Sequence, residues 1–223
     1  INTQGGNYDI IRACCKAAQE MRSPMILAHY VSTGAPGHDW FVETAKWCAN
    51  KVDVPVSIHL DHGADFAICM ERSNWLHQRD DRRFHPPAAE NAAMTNEVIK
   101  VAHCFGVPVA EIGELQRLDN GVVQENKNIA DPEMVREFLS LCQPDTLAIG
   151  IGNAHGYYKG KPDIHLDVLE NVRKFTDIPL VLHGCTGMDE QVVKDAIRLG
   201  VAKINFTGEF IELAENSDGG RWR

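Results

Sequence analysis

The alternation of short apolar runs with amphipathic helical stretches constrains the fold of this 223-residue chain more than any other feature. An apolar run without polar alternation predicts a strand buried on both faces, which is typical of a parallel sheet covered by helices. These runs cover residues 24–28, 54–60, 107–112, 146–151, 178–182 and 201–206. The sequence therefore predicts an α/β fold, either a (β/α)8 barrel or an open doubly wound sheet.

Helical periodicity supplies the connections between these strands. Helices are predicted over residues 9–21, 40–50, 64–70, 88–105, 166–175 and 189–199, and a further helix begins at Asp131-Pro132. Gly106 and Gly200 are expected to end two of them. No G-x-G-x-x-G follows the first strand, so the dinucleotide-binding form of the open sheet loses support. No linker or repeat divides the chain, and we expect one domain over residues 1–223, with 207–223 as a tail.

The charge balance excludes several classes of partner. The chain carries 22 basic and 31 acidic residues, a net charge of −9. Duplex nucleic-acid binders show a basic patch, and an acidic chain is unsuited to an anionic membrane surface. No apolar run approaches the roughly 18–20 residues that span a bilayer, and no secretory signal is recognisable at the N-terminus. We therefore expect a cytoplasmic protein that binds neither nucleic acid nor membranes.

The number and spacing of the cysteines also indicate a cytoplasmic protein. They are odd in number, scattered, and without a C-x-x-C pair, which favours buried reduced thiols over disulfides or a zinc–thiolate site. The seven are Cys14, Cys15, Cys48, Cys69, Cys104, Cys142 and Cys185.

Three histidines stand just past apolar strands, and a glycine follows each one. They are His62, His155 and His183. In parallel α/β folds the carboxyl ends of the strands carry the functional site. Three imidazoles with an open fourth position are the ligand set of a catalytic zinc. A structural histidine is the alternative for any one of them, but the repeated arrangement favours a metal site.

Other polar residues at strand ends extend this candidate site. Asp61 adjoins His62 and is either a general acid/base or a hydrogen-bond partner of an imidazole ligand. Gly184 and Thr186 follow the strand at 178–182, and Thr207 follows the strand at 201–206. The last two βα loops of a barrel often hold a phosphate with backbone N–H groups and hydroxyls.

Six stretches of the chain resemble the class II, zinc-dependent ketose-bisphosphate aldolases. They are HLDHG at 59–63, AEIG at 110–113, DPEMVREFL at 131–139, DTLAIGIGNAHGYYKG at 145–160, IPLVLHGCTGM at 178–188 and AIRLGVAKINF at 196–206. With the order of helices and strands, they cover most of residues 1–206. The resemblance implies a (β/α)8 TIM barrel that cleaves or forms a ketose bisphosphate of the fructose or tagatose type.

The resemblance also implies a role for each matching residue. His62, His155 and His183 are the implied zinc ligands, with Glu111 either an alternate ligand or a residue nearby. Zinc is the implied cofactor, and a monovalent cation is an additional candidate. Asp61 is the implied acid/base, and Asn205 is the implied amide that contacts the enediolate. Asp119 is the implied loop carboxylate that moves the ketose proton. The implied phosphate cradle consists of Gly156, Gly184 and Thr186.

The chain departs from the family at several places. The loop at 113–121 lacks the usual Gly pair, and Asp119 replaces a glutamate that is one methylene longer. Tyr30 stands where a small hydroxyl residue is usual, and Thr207-Gly208 replaces a polar pair. The start of the first strand and the last helix have no counterpart, so the barrel is expected to be incomplete at both chain ends.

A polar segment at 74–87 stands where a fourth strand is due, and its sequence is unsuited to a barrel strand. The family has Gly-Phe-Thr-Ser-Val-Met-Ile-Asp-Gly-Ser at this place. Codons for residues 74–85, read one base later, can encode this whole run. We hypothesise a frameshift, in the gene or in its recorded sequence, that closes again before Glu90.

Three functions remain open at this point. The first is a zinc-dependent aldolase acting on a small sugar phosphate, with a place in carbohydrate metabolism and glycolysis and, by resemblance, a homo-dimeric or homo-tetrameric assembly. The second is a zinc hydrolase that uses metal-bound water. The third is a non-catalytic relative that binds metal or phosphate without turnover.

Overall fold

Eight parallel strands form one sheet, which confirms the predicted α/β class. The computed structural model describes residues 2–4, 7–30, 38–63, 78–81, 88–104, 106, 109–110, 129–154, 158 and 161–206. The strands are β1 (Asn2–Gln4), β2 (Met25–Tyr30), β3 (Val56–Gly63), β4 (Gln78–Asp81), β5 (Val109–Ala110), β6 (Leu147–Ala148), β7 (Leu180–Leu182) and β8 (Val201–Phe206).

The strands lie in the cyclic order of a (β/α)8 barrel. Their order across the sheet is β5-β4-β3-β2-β1-β8-β7-β6, and every neighbouring pair is parallel. The first strand, β1, pairs with β2 on one side and with β8 on the other. Within the described ranges β5 and β6 stand at the two ends of this order without pairing to each other. The sheet is therefore continuous through the junction of the first and last strands.

Six described helices connect the strands, and their ends follow the sequence signals. They are α1 (Tyr8–Met21), α2 (His38–Ala49), α3 (Ala88–Cys104), α4 (Pro132–Leu141), α5 (Leu166–Arg173) and α6 (Glu190–Arg198). The side chain of Asp131 accepts from the backbone N–H of Glu133, and that of Asp189 accepts from the N–H of Gln191. Such caps satisfy N–H groups that have no partner within the helix. The predicted helix at 64–70 and the tail at 207–223 lie outside the described residues.

Segment 74–87 contains a strand, although its polar sequence was judged unsuited to one. Gln78–Asp81 forms β4, which pairs with β3 through His59 and Gln78 and with β5 through Arg79 and Val109. Sheet pairing uses backbone N–H and C=O groups, which every residue except proline supplies whatever its side chain. The backbone path between β3 and β5 therefore accommodates a strand even where the sequence is polar.

The core consists of two apolar clusters on the helix-covered side of the sheet. One packs α1, α2 and α3 against β2 and β3, and includes the fully buried Leu27, Phe41 and Leu60. The other packs α4, α5 and α6 against β6, β7 and β8. All six described cysteines are free thiols, and Cys104 alone among them is exposed. No helix in the described part of the chain has the length and apolarity needed to cross a membrane.

The opposite face of the sheet is concave. Nζ of Lys203 on β8 lies 3.1 Å from Nε2 of His59 on β3, and both residues are buried. These strands are separated by β1 and β2, so in a flat sheet they would stand about 14 Å apart, at roughly 4.8 Å per strand spacing. Strand side chains stand nearly perpendicular to their sheet. Their contact therefore indicates that β3 and β8 face each other across a curved interior.

Candidate active site

Three buried polar residues stand at the carboxyl ends of β3, β7 and β8. Asp61 is near the end of β3, His183 directly follows β7, and Asn205 is near the end of β8. Their exposed fractions are only 4%, 1% and 7%. Because all three strands are parallel, these ends lie at the same edge of the sheet. The buried cluster at this edge is the site that the sequence predicts.

The contact between His183 and Asn205 is the tightest in this cluster. Nδ2 of Asn205 lies 2.7 Å from Nδ1 and 3.1 Å from Nε2 of His183. The contact follows from strand pairing, since Leu182 is paired with Ile204 and the next residue on each strand is therefore also adjacent. Oδ1 of Asn205 is buried and accepts no hydrogen bond from the described residues. This oxygen is suited to a hydroxyl donor on a ligand.

A lysine–histidine pair lies one layer deeper in the interior, and the sequence analysis did not select it. His59 precedes Asp61 by two residues, and Lys203 precedes Asn205 by two, so each lies on the same face of its strand as the site residue above it. An ammonium group only donates, so Nε2 of His59 accepts from Lys203. The pair places a buried cation below the predicted acid/base and amide. The two-residue spacing from the predicted site residues is the signal that identifies it.

The loop after β7 holds two of the predicted phosphate-binding residues. Gly184 adopts a left-handed conformation with φ of 59°, and Thr186 is 3% exposed. The backbone N–H of Cys185 donates to the carbonyl of Asn205 at 3.3 Å, which fixes this loop to the end of β8. The predicted cradle residues Gly184 and Thr186 therefore lie in one ordered turn beside His183.

Two residues that follow β6, Asn153 and Tyr158, were not predicted as site residues. The amide of Asn153 donates to the carbonyl of His183 at 2.8 Å, and the hydroxyl of Tyr158 lies 3.0 Å from the carbonyl of Gly184. Burial raises the pKa of Tyr158, although its backbone bond to Ala154 opposes this shift. The hydroxyl therefore keeps its proton at neutral pH. Both residues occur in the stretch at 145–160 that carries the family resemblance, but bonds to another strand's backbone leave no spacing signal.

The remaining predicted site residues lie outside the described part of the chain. His62 belongs to β3 by its backbone, but its side chain is not described, and the same holds for Tyr30 on β2. The others are Glu111, Asp119, His155, Gly156 and Thr207. Within the described ranges, no three His, Cys, Asp or Glu side chains are grouped so that they hold a metal ion. Of the predicted ligands, the structure therefore describes the ring of His183.

Comparison with known proteins identifies the family. The model of the family "Fructose-bisphosphate aldolase class-II" matches residues 4–213. The chain is 38% identical over 212 residues to the probable fructose-bisphosphate aldolase of Bacillus subtilis strain 168, and 37% identical over 212 residues to the fructose-bisphosphate aldolase of Geobacillus stearothermophilus. Each match covers 91% of this chain and 73% of the relative.

Solved structures agree with these sequence matches. The crystal structure of the YdjI aldolase from Escherichia coli K12 superposes with a TM-score of 0.81 at 30% identity, over 98% of this chain and 81% of that one. Fructose-bisphosphate aldolase from Campylobacter jejuni shares the fold, with a TM-score of 0.75 at 19% identity over 97% of this chain and 74% of that one. The family match over most of the chain and the buried cluster at the strand ends lead to one conclusion: the chain belongs to the class II fructose-bisphosphate aldolase family and is a carbon–carbon lyase.

Proposed function

We propose that this protein is a zinc-dependent aldolase that reversibly cleaves a ketose 1,6-bisphosphate, of the fructose or tagatose type, to dihydroxyacetone phosphate and an aldehyde. The observation that carries the proposal is the buried contact between His183 and Asn205, with Asp61 at the same edge of the sheet. A metal-binding imidazole, an amide and a carboxylate are the groups that carbon–carbon cleavage beside a carbonyl requires.

The described donor fits a zinc ion. His183 is 1% exposed, and imidazole nitrogen is among the preferred zinc ligands. Nδ2 of Asn205 lies 2.7 and 3.1 Å from the two ring nitrogens, and a neutral imidazole offers one of them as an acceptor, with the same lone pair that a metal would take. We assign His62 and His155 as the further ligands and Glu111 as the alternate ligand. Zinc bound there would supply electrophilic polarisation of the substrate carbonyl.

The other residues bind substrate or move protons. We assign Asp61 the proton exchange with the hydroxyl that becomes the aldehyde, since its carboxyl group is buried at the strand ends. Asn205 is assigned the oxygens of the dihydroxyacetone-phosphate fragment, because its Oδ1 is buried with no partner among the described residues. Asp119 is assigned the transfer of the ketose proton.

The phosphate of the same fragment is assigned to the turn after β7. Gly184 adopts a left-handed conformation within this buried turn, and Thr186 contributes a hydroxyl to it. Gly156 and Thr207, which follow β6 and β8 in the sequence, are assigned to the same cradle. An acidic protein can hold an anionic sugar when local N–H groups and a cation outweigh its global charge.

We further infer that the sheet closes into a barrel by pairing β5 with β6. The continuous β8–β1 junction and the contact between Lys203 and His59 across the interior support this closure. A homo-dimeric or homo-tetrameric assembly and a cytoplasmic location are part of the proposal. The free thiols among the described cysteines are consistent with a reducing compartment.

The test is carbon–carbon cleavage of fructose and tagatose 1,6-bisphosphates, before and after chelation, followed by addition of zinc. We expect chelation to abolish release of dihydroxyacetone phosphate and zinc to restore it. His183→Ala should lose bound zinc and activity together. Asp61→Ala should keep zinc and lose turnover by roughly 10²–10⁴-fold.

His103→Ala is the matched control for the histidine variant. This histidine is exposed and lies 2.8 Å from Asp145, and we expect its loss to spare zinc and activity. Full zinc binding by His183→Ala would contradict the ligand assignment. Bound zinc with no cleavage of either sugar would contradict the aldolase proposal and favour a non-catalytic relative.

A further inference from the structure

The hydroxyl of Tyr158 joins two strand ends that carry predicted metal ligands. It accepts from the backbone N–H of Ala154 at 2.9 Å and lies 3.2 Å from the carbonyl of the same residue. It also lies 3.0 Å from the carbonyl of Gly184. A hydroxyl has one hydrogen, and the carbonyl of Gly184 is the nearer acceptor. Tyr158 therefore links the end of β6 to the loop after β7.

Asn153 forms a second link between the same strand ends. Its Nδ2 donates to the carbonyl of His183 at 2.8 Å, and its Oδ1 accepts from the backbone N–H of Ile151 at 2.7 Å. The residue is fully buried. The amide therefore ties the backbone of a predicted ligand directly to the end of β6.

The backbones between these two links are in close contact. A Cβ atom on Gly184 would lie 2.3 Å from the carbonyl oxygen of Ala154, closer than real contacts allow. The backbones at Ala154 and Gly184 therefore cannot move closer together. We name Asn153, Tyr158 and Gly184 the β6–β7 clasp.

The bonds from Tyr158 to Gly184 and from Asn153 to His183 end on backbone groups at, or next to, the predicted ligand His183. Ala154 precedes His155, Gly184 follows His183, and Asn153 bonds the carbonyl of His183 itself. Zinc requires nitrogen ligands at about 2.0–2.1 Å in tetrahedral geometry. A shift of the backbone at His183 therefore displaces its imidazole relative to a bound metal.

From this placement we propose that Tyr158 and Asn153 are positioning residues for the metal site, holding the backbone at the predicted ligand His183 through the β6–β7 clasp. The inference rests on the proposed zinc site and goes beyond its ligands. Partners that orient metal ligands typically account for about 10–100-fold in metal affinity. A merely structural bond would change stability and leave metal geometry unchanged.

The test compares Tyr158→Phe with Tyr8→Phe, which makes the same change on the exposed start of α1. Zinc affinity is measured by competition with a chromophoric chelator, thermal midpoints are measured without metal, and the visible spectrum is recorded with Co²⁺. We expect Tyr158→Phe to weaken zinc binding about 10–100-fold and to alter the Co²⁺ bands, and Tyr8→Phe to change neither.

Asn153→Ser provides an independent variant in case Tyr158→Phe folds poorly. A serine side chain is small and polar, and its hydroxyl is too short to donate to the carbonyl of His183. It should weaken zinc binding in the same direction. Wild-type affinity and Co²⁺ spectra in both variants would overturn the positioning role and leave the proposed function intact. Absence of zinc binding by the wild-type protein would instead overturn the proposed function.

Discussion

Substitution of Gly184 by alanine should push the turn after β7 away from Ala154, which follows β6. The residue has a φ of 59°, and an added Cβ would lie 2.3 Å from the carbonyl oxygen and 2.7 Å from the carbonyl carbon of Ala154. Ordinary contacts begin at 3.4 Å, so Gly184→Ala requires a displacement of about 1.1 Å, which is 3.4 − 2.3. The obstructing atoms are backbone, so no side-chain rotation relieves the clash.

The cost of this substitution has three parts. A left-handed conformation costs an L-residue about 1–2 kcal/mol, and an overpacked core site costs about 1–3 kcal/mol. Displacement also breaks the hydrogen bond from Tyr158 to Gly184, which contributes about 1 kcal/mol. The free energy of unfolding should therefore fall by about 3–6 kcal/mol. A misplacement of about 1 Å can also lower catalytic rate by about 10²-fold.

Gly106→Ala is the matched control, because Gly106 has a φ of 67° and its Cβ would meet no atom of the described residues within 4 Å. It should show only the conformational cost, about 1–2 kcal/mol. Urea unfolding of both variants without metal, followed by the cleavage assay with zinc, separates the two effects. If Gly184→Ala is no more destabilising than Gly106→Ala, the close contact between β6 and β7 is refuted.

Two further predictions concern β4 and the buried thiols. Replacing residues 75–84 with Gly-Phe-Thr-Ser-Val-Met-Ile-Asp-Gly-Ser puts Ser-Val-Met-Ile at Gln78–Asp81. Urea unfolding should show a gain of roughly 1.5–3 kcal/mol for each apolar side chain that becomes buried, and no gain would contradict the frameshift hypothesis. Peptide mass mapping of residues 66–91 tests the written sequence directly. Burial raises the pKa of Cys15 to about 11 and that of Cys142 to about 12, from 9.0. Because the folded-state values are higher, their contribution to stability is complete below pH 9 and is lost above it, by about 1.4 kcal/mol per pH unit for each thiol. Urea unfolding of Cys142→Ala should therefore depend less steeply on pH than that of the wild type between pH 9 and 11, and equal slopes would contradict the buried assignment.

The fold was predictable wherever one strong local signal determines the backbone. The period of α1 and the apolar run of β8 predict these elements to within one residue. The helix start at Asp131 was equally predictable, because an aspartate followed by proline combines a cap with a fixed φ. The strand at Gln78–Asp81 was not predictable, because its pairing depends on the backbones of β3 and β5 rather than on its own side chains.

In the candidate site, too, some residues could be predicted from a local sequence signal and others could not. Asp61, His183 and Asn205 were predictable because each is near or directly beyond the end of a strand, and parallel strands bring their ends to one edge. The placement of Asn153 and Tyr158 was not predictable, because it depends on bonds to the backbone of His183 and Gly184 in another part of the chain. Sequence patterns report which face a residue occupies, but not which distant carbonyl group it reaches.

The strand pattern could also have predicted that Lys203 and His59 lie in the interior of the sheet. Once Asp61 and Asn205 are placed in the interior, the residues two positions earlier must lie on the same face, one layer deeper. A buried ammonium group is costly unless it is hydrogen-bonded, and the strand order leaves two strands between Lys203 and His59. The 3.1 Å contact is possible for perpendicular side chains only if the intervening strands curve. The same pair therefore satisfies a buried charge beneath the site and supports closure of the sheet around it.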